Sequence, residues 1–223
     1  MEFPEGFNQL ELLETHRHLI PVGTESAWDE EEDSGDEDDE DEEQHDEEWY
    51  QQQELKLKGN PVELMLWAAE KNRLSTVERL AASDLSLVNC HDVDGYTPLH
   101  RASYSGHARI VSFLLDSGAN LHARTMDGWT PLHSASRWGH TAIVSCLLRW
   151  GSEVNAMTNG QLTPLQLAAG NPAAPETLEL LLLQRTLQAG LTNGAGETAY
   201  DIALRKTAHY HLFEITEPCH NIT

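Results

Sequence analysis

The chain has 223 residues, with 37 acidic side chains against 14 basic ones, a net charge of −23. That balance excludes a nucleic-acid binder, whose phosphate contacts need clustered Lys and Arg, and it disfavours anionic membrane surfaces. The length admits one ordinary domain, or one domain and a tail.

The N-terminus, MEFPEGFNQL, is acidic where a signal peptide is basic. No apolar run approaches the roughly 18 residues of a membrane span. Cys90, Cys146 and Cys219 are odd in number and widely spaced, which is no disulfide framework. A soluble protein of a reducing, intracellular compartment is expected. Phe7, Leu10 and Leu13 recur every three residues, as on one face of a short helix.

Asp29 to Glu48 then holds 16 acidic residues in 20 and no Lys or Arg. With little apolar surface and strong self-repulsion, this tract cannot offset chain entropy, so disorder is expected. Read blandly, it is a solubilising tail. Read functionally, it attracts basic partners, masks a basic surface, or joins Trp28, Trp49 and Tyr50 in an acidic activation-type segment. Ser34, followed by Glu37 and further acids, suits an acid-directed kinase and is a candidate phosphosite.

Residues 1–59 are therefore assigned to an N-terminal region. Asn60-Pro61-Val62-Glu63 reads as a helix start, with Asn60 as cap, Pro61 first in the helix and Glu63 reaching back. From Asn60 onward there are 15 acidic and 11 basic residues, a balance of only −4.

This remainder repeats. Asp94-Gly95-Tyr96-Thr97-Pro98-Leu99-His100 returns as Asp127-Gly128-Trp129-Thr130-Pro131-Leu132-His133, then in part as Thr163-Pro164-Leu165-Gln166 and Thr198-Ala199-Tyr200-Asp201. The first three Thr are 33 apart. Counting back 33 from Leu99 reaches Leu66, an altered first copy with Trp67 in the place of His100. Ile110, Val111, Leu114 and Leu115 match Ile143, Val144, Leu147 and Leu148, a short amphipathic helix in each unit. Leu178, Leu182 and Leu183 take those places in the fourth copy, after a Pro-rich stretch that lengthens the preceding turn. Gly95 and Gly128 supply the positive φ of a turn. Thr97 and Thr130 cap the following helix, with Pro98 and Pro131 in its first position. Gln161 stands where a third glycine is expected, so the shape of that finger is open.

A period of 33 carrying Thr-Pro-Leu-His resembles the ankyrin repeat. The resemblance implies an all-α solenoid of about five helix-turn-helix units with β-turn fingers, preceded by the acidic region. The units fall at about 60–93, 94–126, 127–159, 160–194 and 195–223. It also implies that His100 and His133 hydrogen-bond within and between units. The order of features is narrower still: FNQLELLETHRHLIP, the acidic tract, EEWY, LWAAEKNRL and HYHLFEI. The member of the family with that order implies a nuclear protein that promotes transcription and germ-cell differentiation. No Lys/Arg cluster marks a nuclear localisation signal.

No phosphate loop, nucleophile elbow or paired Cys motif appears, so a non-enzyme without cofactor is expected. His209, His211, Cys219 and His220 offer one Cys and loose spacing, unlike the paired ligands of zinc, so no metal is expected. The expected activity is protein binding by a monomer, on the concave face of fingertips and first-helix ends. Tyr96, Trp129 and Leu162 are the tip residues; Tyr104, Arg137 and Trp138 are at the helix ends. Aromatics and Arg anchor interfaces. Trp129 either does so or packs against its neighbouring finger, Trp150 is placed on the convex side, and Trp67 is buried. The alternative function is an acidic, chaperone-like binder of basic proteins such as histones.

Overall fold

A computed structural model describes residues 46–216, which form ten α-helices and two 3-10 helices, with no strand among them. The chain divides into two units between Tyr50 and Gln51. Ser34, the acidic tract up to residue 45, the Phe7 pattern, Cys219 and His220 lie outside the described residues. Within 46–50, Asp46 accepts a hydrogen bond from the backbone N–H of Trp49 at 2.8 Å and so starts helix α1 (Glu47–Leu57). Glu47 and Glu48 occupy its first turn, where the helix dipole favours negative charge. The last acids of the tract thus begin a helix.

The C-terminal part of α1 belongs to the second unit. Glu54 accepts from the Thr76 hydroxyl at 2.7 Å and from Arg73 Nε at 3.3 Å, and Leu57 packs against the core.

Five helical units follow: α2 (Pro61–Glu70) with α3 (Leu74–Ser83), α4 (Pro98–Tyr104) with α5 (Ala108–Asp116), α6 (Pro131–Arg137) with α7 (Thr141–Arg149), α8 (Pro164–Ala169) with α9 (Pro175–Leu182), and α10 (Ala199–Lys206) with a 3-10 helix, His209–Thr216. First helices touch in succession, α2 to α10, and the second helices α3, α5, α7 and α9 do the same behind them. Asn60 caps α2 as the sequence predicts, accepting from the Glu63 N–H at 3.3 Å. Glu63 answers by accepting from the Asn60 side-chain amide at 3.2 Å.

Repetition puts equivalent residues in equivalent burial. Leu99, Leu132 and Leu165 are buried, as are Ala102, Ala135 and Ala168, whose small side chains let neighbouring helices approach. No unit could bury these faces alone, so the core runs through the array. The fourth unit departs from expectation. Thr177, Leu178, Leu181 and Leu182 face inward, while Leu183 is 58% exposed. The two residues this unit gains are split: one lies in the longer turn 170–174, the other after α9. Helix α9 is therefore offset by 34 from α7, which swaps Leu181 for Leu183.

Each finger is closed by the same pair of bonds. Thr125 N–H donates to the Trp129 carbonyl at 3.0 Å, and Gly128 N–H to the Thr125 carbonyl at 2.9 Å. Thr158, Gln161 and Leu162 reproduce both bonds at 2.9 Å. Gln161 does this at φ +60°, where Gly95 and Gly128 lie at +82° and +78°. The third finger keeps its shape, and a residue with a Cβ bears the strain of the left-handed region. Gln161→Gly is expected to raise stability by about 1 kcal/mol, read as a higher urea midpoint. An unchanged or lower midpoint would show that no strain is stored there.

Candidate partner-binding face

The face is built by what holds each finger to the preceding helix. His100 is fully buried: its Nδ1 accepts from the Thr97 backbone N–H at 3.2 Å, and its Nε2 lies 3.1 Å from the Trp129 carbonyl of the next finger. His133 repeats this with Thr130 N–H at 3.1 Å and the carbonyls of Ala156 and Leu162, both at 3.1 Å. Only a neutral ring protonated on Nε2 satisfies both sides. Burial pushes both histidines down to about 4. In the fourth unit an amide does the same work. Gln166 Oε1 accepts from Thr163 N–H at 2.9 Å, and its Nε2 donates to the Leu191 and Glu197 carbonyls at 2.9 and 3.1 Å. The last unit has Asp201, which accepts from Thr198 N–H at 2.9 Å and has no N–H to offer onward. The hydrogen bonds it accepts from the Thr198 hydroxyl and backbone N–H hold the carboxyl below its ordinary value. An acceptor-only side chain suits the unit with no finger after it.

A second ladder fixes the other ends of the first helices. His107 and His140 stand at the N-caps of α5 and α7, and each reaches back one unit. His107 Nε2 lies 2.7 Å from the Glu70 carbonyl, and His140 Nε2 lies 2.7 Å from that of Tyr104. Asn171 continues the ladder, donating to the Arg137 carbonyl at 3.0 Å. His209 and His211 lie 2.9 Å from the carbonyls of Pro172 and Ala208, so each has a backbone partner.

The six residues singled out in the sequence fall into two groups. Tyr104, Arg137 and Trp138 come together. The Tyr104 and Trp138 rings meet edge to face at 4.9 Å, and the Arg137 guanidinium lies 5.7 Å from the Trp138 ring centre. Tyr104 is 48% exposed and Trp138 49% exposed. Tyr96, Trp129 and Leu162 stand in the fingers and are half-buried. Tyr96 packs against His100 at 5.9 Å and under Arg101 at 5.0 Å, and Trp129 lies 6.2 Å from His133 of its own unit. Trp150 is exposed on the second-helix side, and Trp67, expected to be buried, is half-buried against the core. Sequence reading missed Arg101, which joins Asp92 at 2.9 Å and Glu70 at 3.1 Å and so ties a finger to two first helices. Its signal was its place between His100 and Ala102 on a repeated helix, where Ser134 gives no hint of a charge.

Burial pushes the Cys90 thiol up to about 11, so it is not ionised at neutral pH and is a poor nucleophile. Among the described residues no group of three or more His, Cys, Asp or Glu is placed to hold a metal, and no helix is long and apolar enough to cross a membrane.

Comparison with known proteins agrees with this architecture. The family model described as ankyrin repeats (3 copies) matches residues 64–158 and 120–193. The chain is 59% identical over 227 residues to ankyrin repeat domain-containing protein 49 of Homo sapiens, covering 99% of this chain and 91% of that one. It is 59% identical over 221 residues to the protein of that name in Bos taurus and 55% over 225 residues to that in Mus musculus, with the same coverage in both.

Proposed function

The chain belongs to the ankyrin-repeat family, and from that premise we propose that it is a non-catalytic, monomeric adaptor that holds a protein partner on the first-helix face. One observation carries the reading. Tyr104 and Trp138 form an aromatic pair, half-exposed, on carbonyls fixed by the histidine ladder. Rigid, partly exposed aromatics beside an Arg are what interface hot spots are made of. The likeness to ankyrin repeat domain-containing protein 49 supports the finer part of the proposal. The adaptor acts in the nucleus, promotes transcription and serves germ-cell differentiation. At 24.9 kDa the chain needs no dedicated signal to enter by diffusion.

The density of the acidic tract supports a second reading, a chaperone-like binder of basic proteins. One experiment separates the two. The tagged full chain, the Tyr104→Ala/Trp138→Ala double variant and a chain lacking 29–45 are used to capture partners from nuclear extract of germ-line cells at low and high salt. The adaptor predicts that the double variant loses at least tenfold of its captured partner while its melting temperature is unchanged. The chaperone predicts loss on removing 29–45 and on raising salt, because Coulombic attraction is screened. Capture unaffected by the double variant would sink the first reading.

A further inference from the structure

The charges on the face are unevenly placed, with Arg101 and Arg124 the cations near the fingers. The fingertips carry Asp92, Asp94 and Asp127, with Asp94 and Asp127 exposed. The opposite ends of the first helices carry cations. Positions 71, 104 and 137 are 33 apart and occupy the same place in successive units. They hold Lys71, Tyr104 and Arg137, all exposed, with Trp138 against Tyr104 and exposed Arg109 in the first turn of α5. Glu70, the acid in this column, is already engaged by Arg101 at 3.1 Å and Lys71 at 3.5 Å. Beyond it, Glu176 opens α9. In an array with a surplus of acids, this end of the face presents an aromatic pair flanked by cations.

We propose that this column takes an acidic segment of the partner, with one apolar side chain on the Tyr104–Trp138 pair and a carboxylate on each side, toward Lys71 and Arg137. The spacing follows from the stack. Neighbouring helices lie about 8–10 Å apart, so Lys71 and Arg137, two units apart, are roughly 20 Å from one another. An extended segment covers that distance in about six residues at ~3.3 Å each. The recognised pattern is an acid, an apolar residue about three positions on, and a second acid about three positions after that. An Arg makes paired hydrogen bonds to a carboxylate, so the Arg137 side carries more of the specificity than the Lys71 side.

The inference rests on the adaptor reading and deepens it. It is tested with the full chain and three labelled peptides, Glu-Gly-Ser-Leu-Ser-Gly-Glu and the same sequence with Gln or Lys at both ends, followed by fluorescence anisotropy at about 0.15 M salt, where the Debye length is about 8 Å. The acidic peptide is expected to bind at least tenfold tighter than the Gln peptide, with no detectable binding of the Lys peptide. Arg137→Glu and Lys71→Glu are expected to erase that preference, with Tyr104→Ala weakening both remaining peptides alike. Thermal melts check that each variant is folded. If the Gln peptide binds as tightly as the acidic one and still needs Tyr104, the partner class is wrong and the binding face stands. If no peptide binds, or Arg137→Glu changes nothing, the inference falls, while capture from extract still decides the adaptor reading by itself.

Discussion

Between pH 6.5 and 4 the array is expected to lose about 6 kcal/mol of stability, and substituting Gln for His100 and His133 together is expected to remove most of that loss. Both rings are buried and neutral, with Nδ1 accepting from a backbone N–H and Nε2 facing the carbonyl of the next finger. Their folded values are lowered from 6.5 to about 4. The unfolded chain therefore takes up protons first as pH falls. Stability is fully present above pH 6.5 and is lost as pH falls toward 4, where the folded state begins to bind protons too. Each pKa unit corresponds to about 1.4 kcal/mol, so each histidine contributes roughly 3 kcal/mol of the loss. Asp92 and Asp201 also have lowered values, from 3.8, so their contributions fade only below pH 4 and do not overlap this window. Gln166 already shows that an amide can bond to both sides of the slot. His100→Gln/His133→Gln should therefore match the parent at pH 7 within about 1 kcal/mol and stay nearly flat down to pH 4. Urea unfolding at pH 7, 5.5 and 4 measures this. A parent as stable at pH 4 as at pH 7 would mean that the two imidazoles are not held neutral by the fold.

Much of this was legible in the sequence because ankyrin units satisfy their needs locally. Thr97, Pro98 and the glycine two residues before the Thr each act within one turn of chain, and the 33-residue offset carries the reading from unit to unit. Three features were not legible, each for a physical reason. Glu54 meets Arg73 and Thr76 across about twenty residues, a pairing no period announces. Leu181 replaces Leu183 in the core because two inserted residues are divided between two loops, which an alignment on Thr163 and Thr198 cannot apportion. Gln161 adopts a glycine's conformation because the bonds of its finger outweigh its own preference. The candidate face lies between these cases. Tyr104 and Arg137 share a column that the period reveals, but the contact between Tyr104 and Trp138 joins two columns and appears only once the units are stacked.

Gly139→Ala is expected to cost about 2–4 kcal/mol, against about 1 kcal/mol for Gly151→Ala. Both glycines lie at positive φ, +73° and +96°, so both alanines carry a conformational penalty. They differ in what a Cβ would meet. At Gly151 there is nothing within 4 Å. At Gly139 the new atom would lie 2.2 Å from Ala174 Cβ and 3.1 Å from Asn171 Nδ2. Overpacking of this kind costs a further 1–3 kcal/mol, because the turn 170–174 must move. Asn171 donates to the Arg137 carbonyl from that turn, so the displacement also reaches the base of the Arg137–Trp138 cluster. Partner capture should then weaken in Gly139→Ala and not in Gly151→Ala. Adding Ala174→Gly removes the clashing methyl and is expected to bring the double variant back to within about 1 kcal/mol of Gly151→Ala. Equal urea midpoints for the two single variants would show that the lengthened turn of the fourth unit does not pack on Gly139.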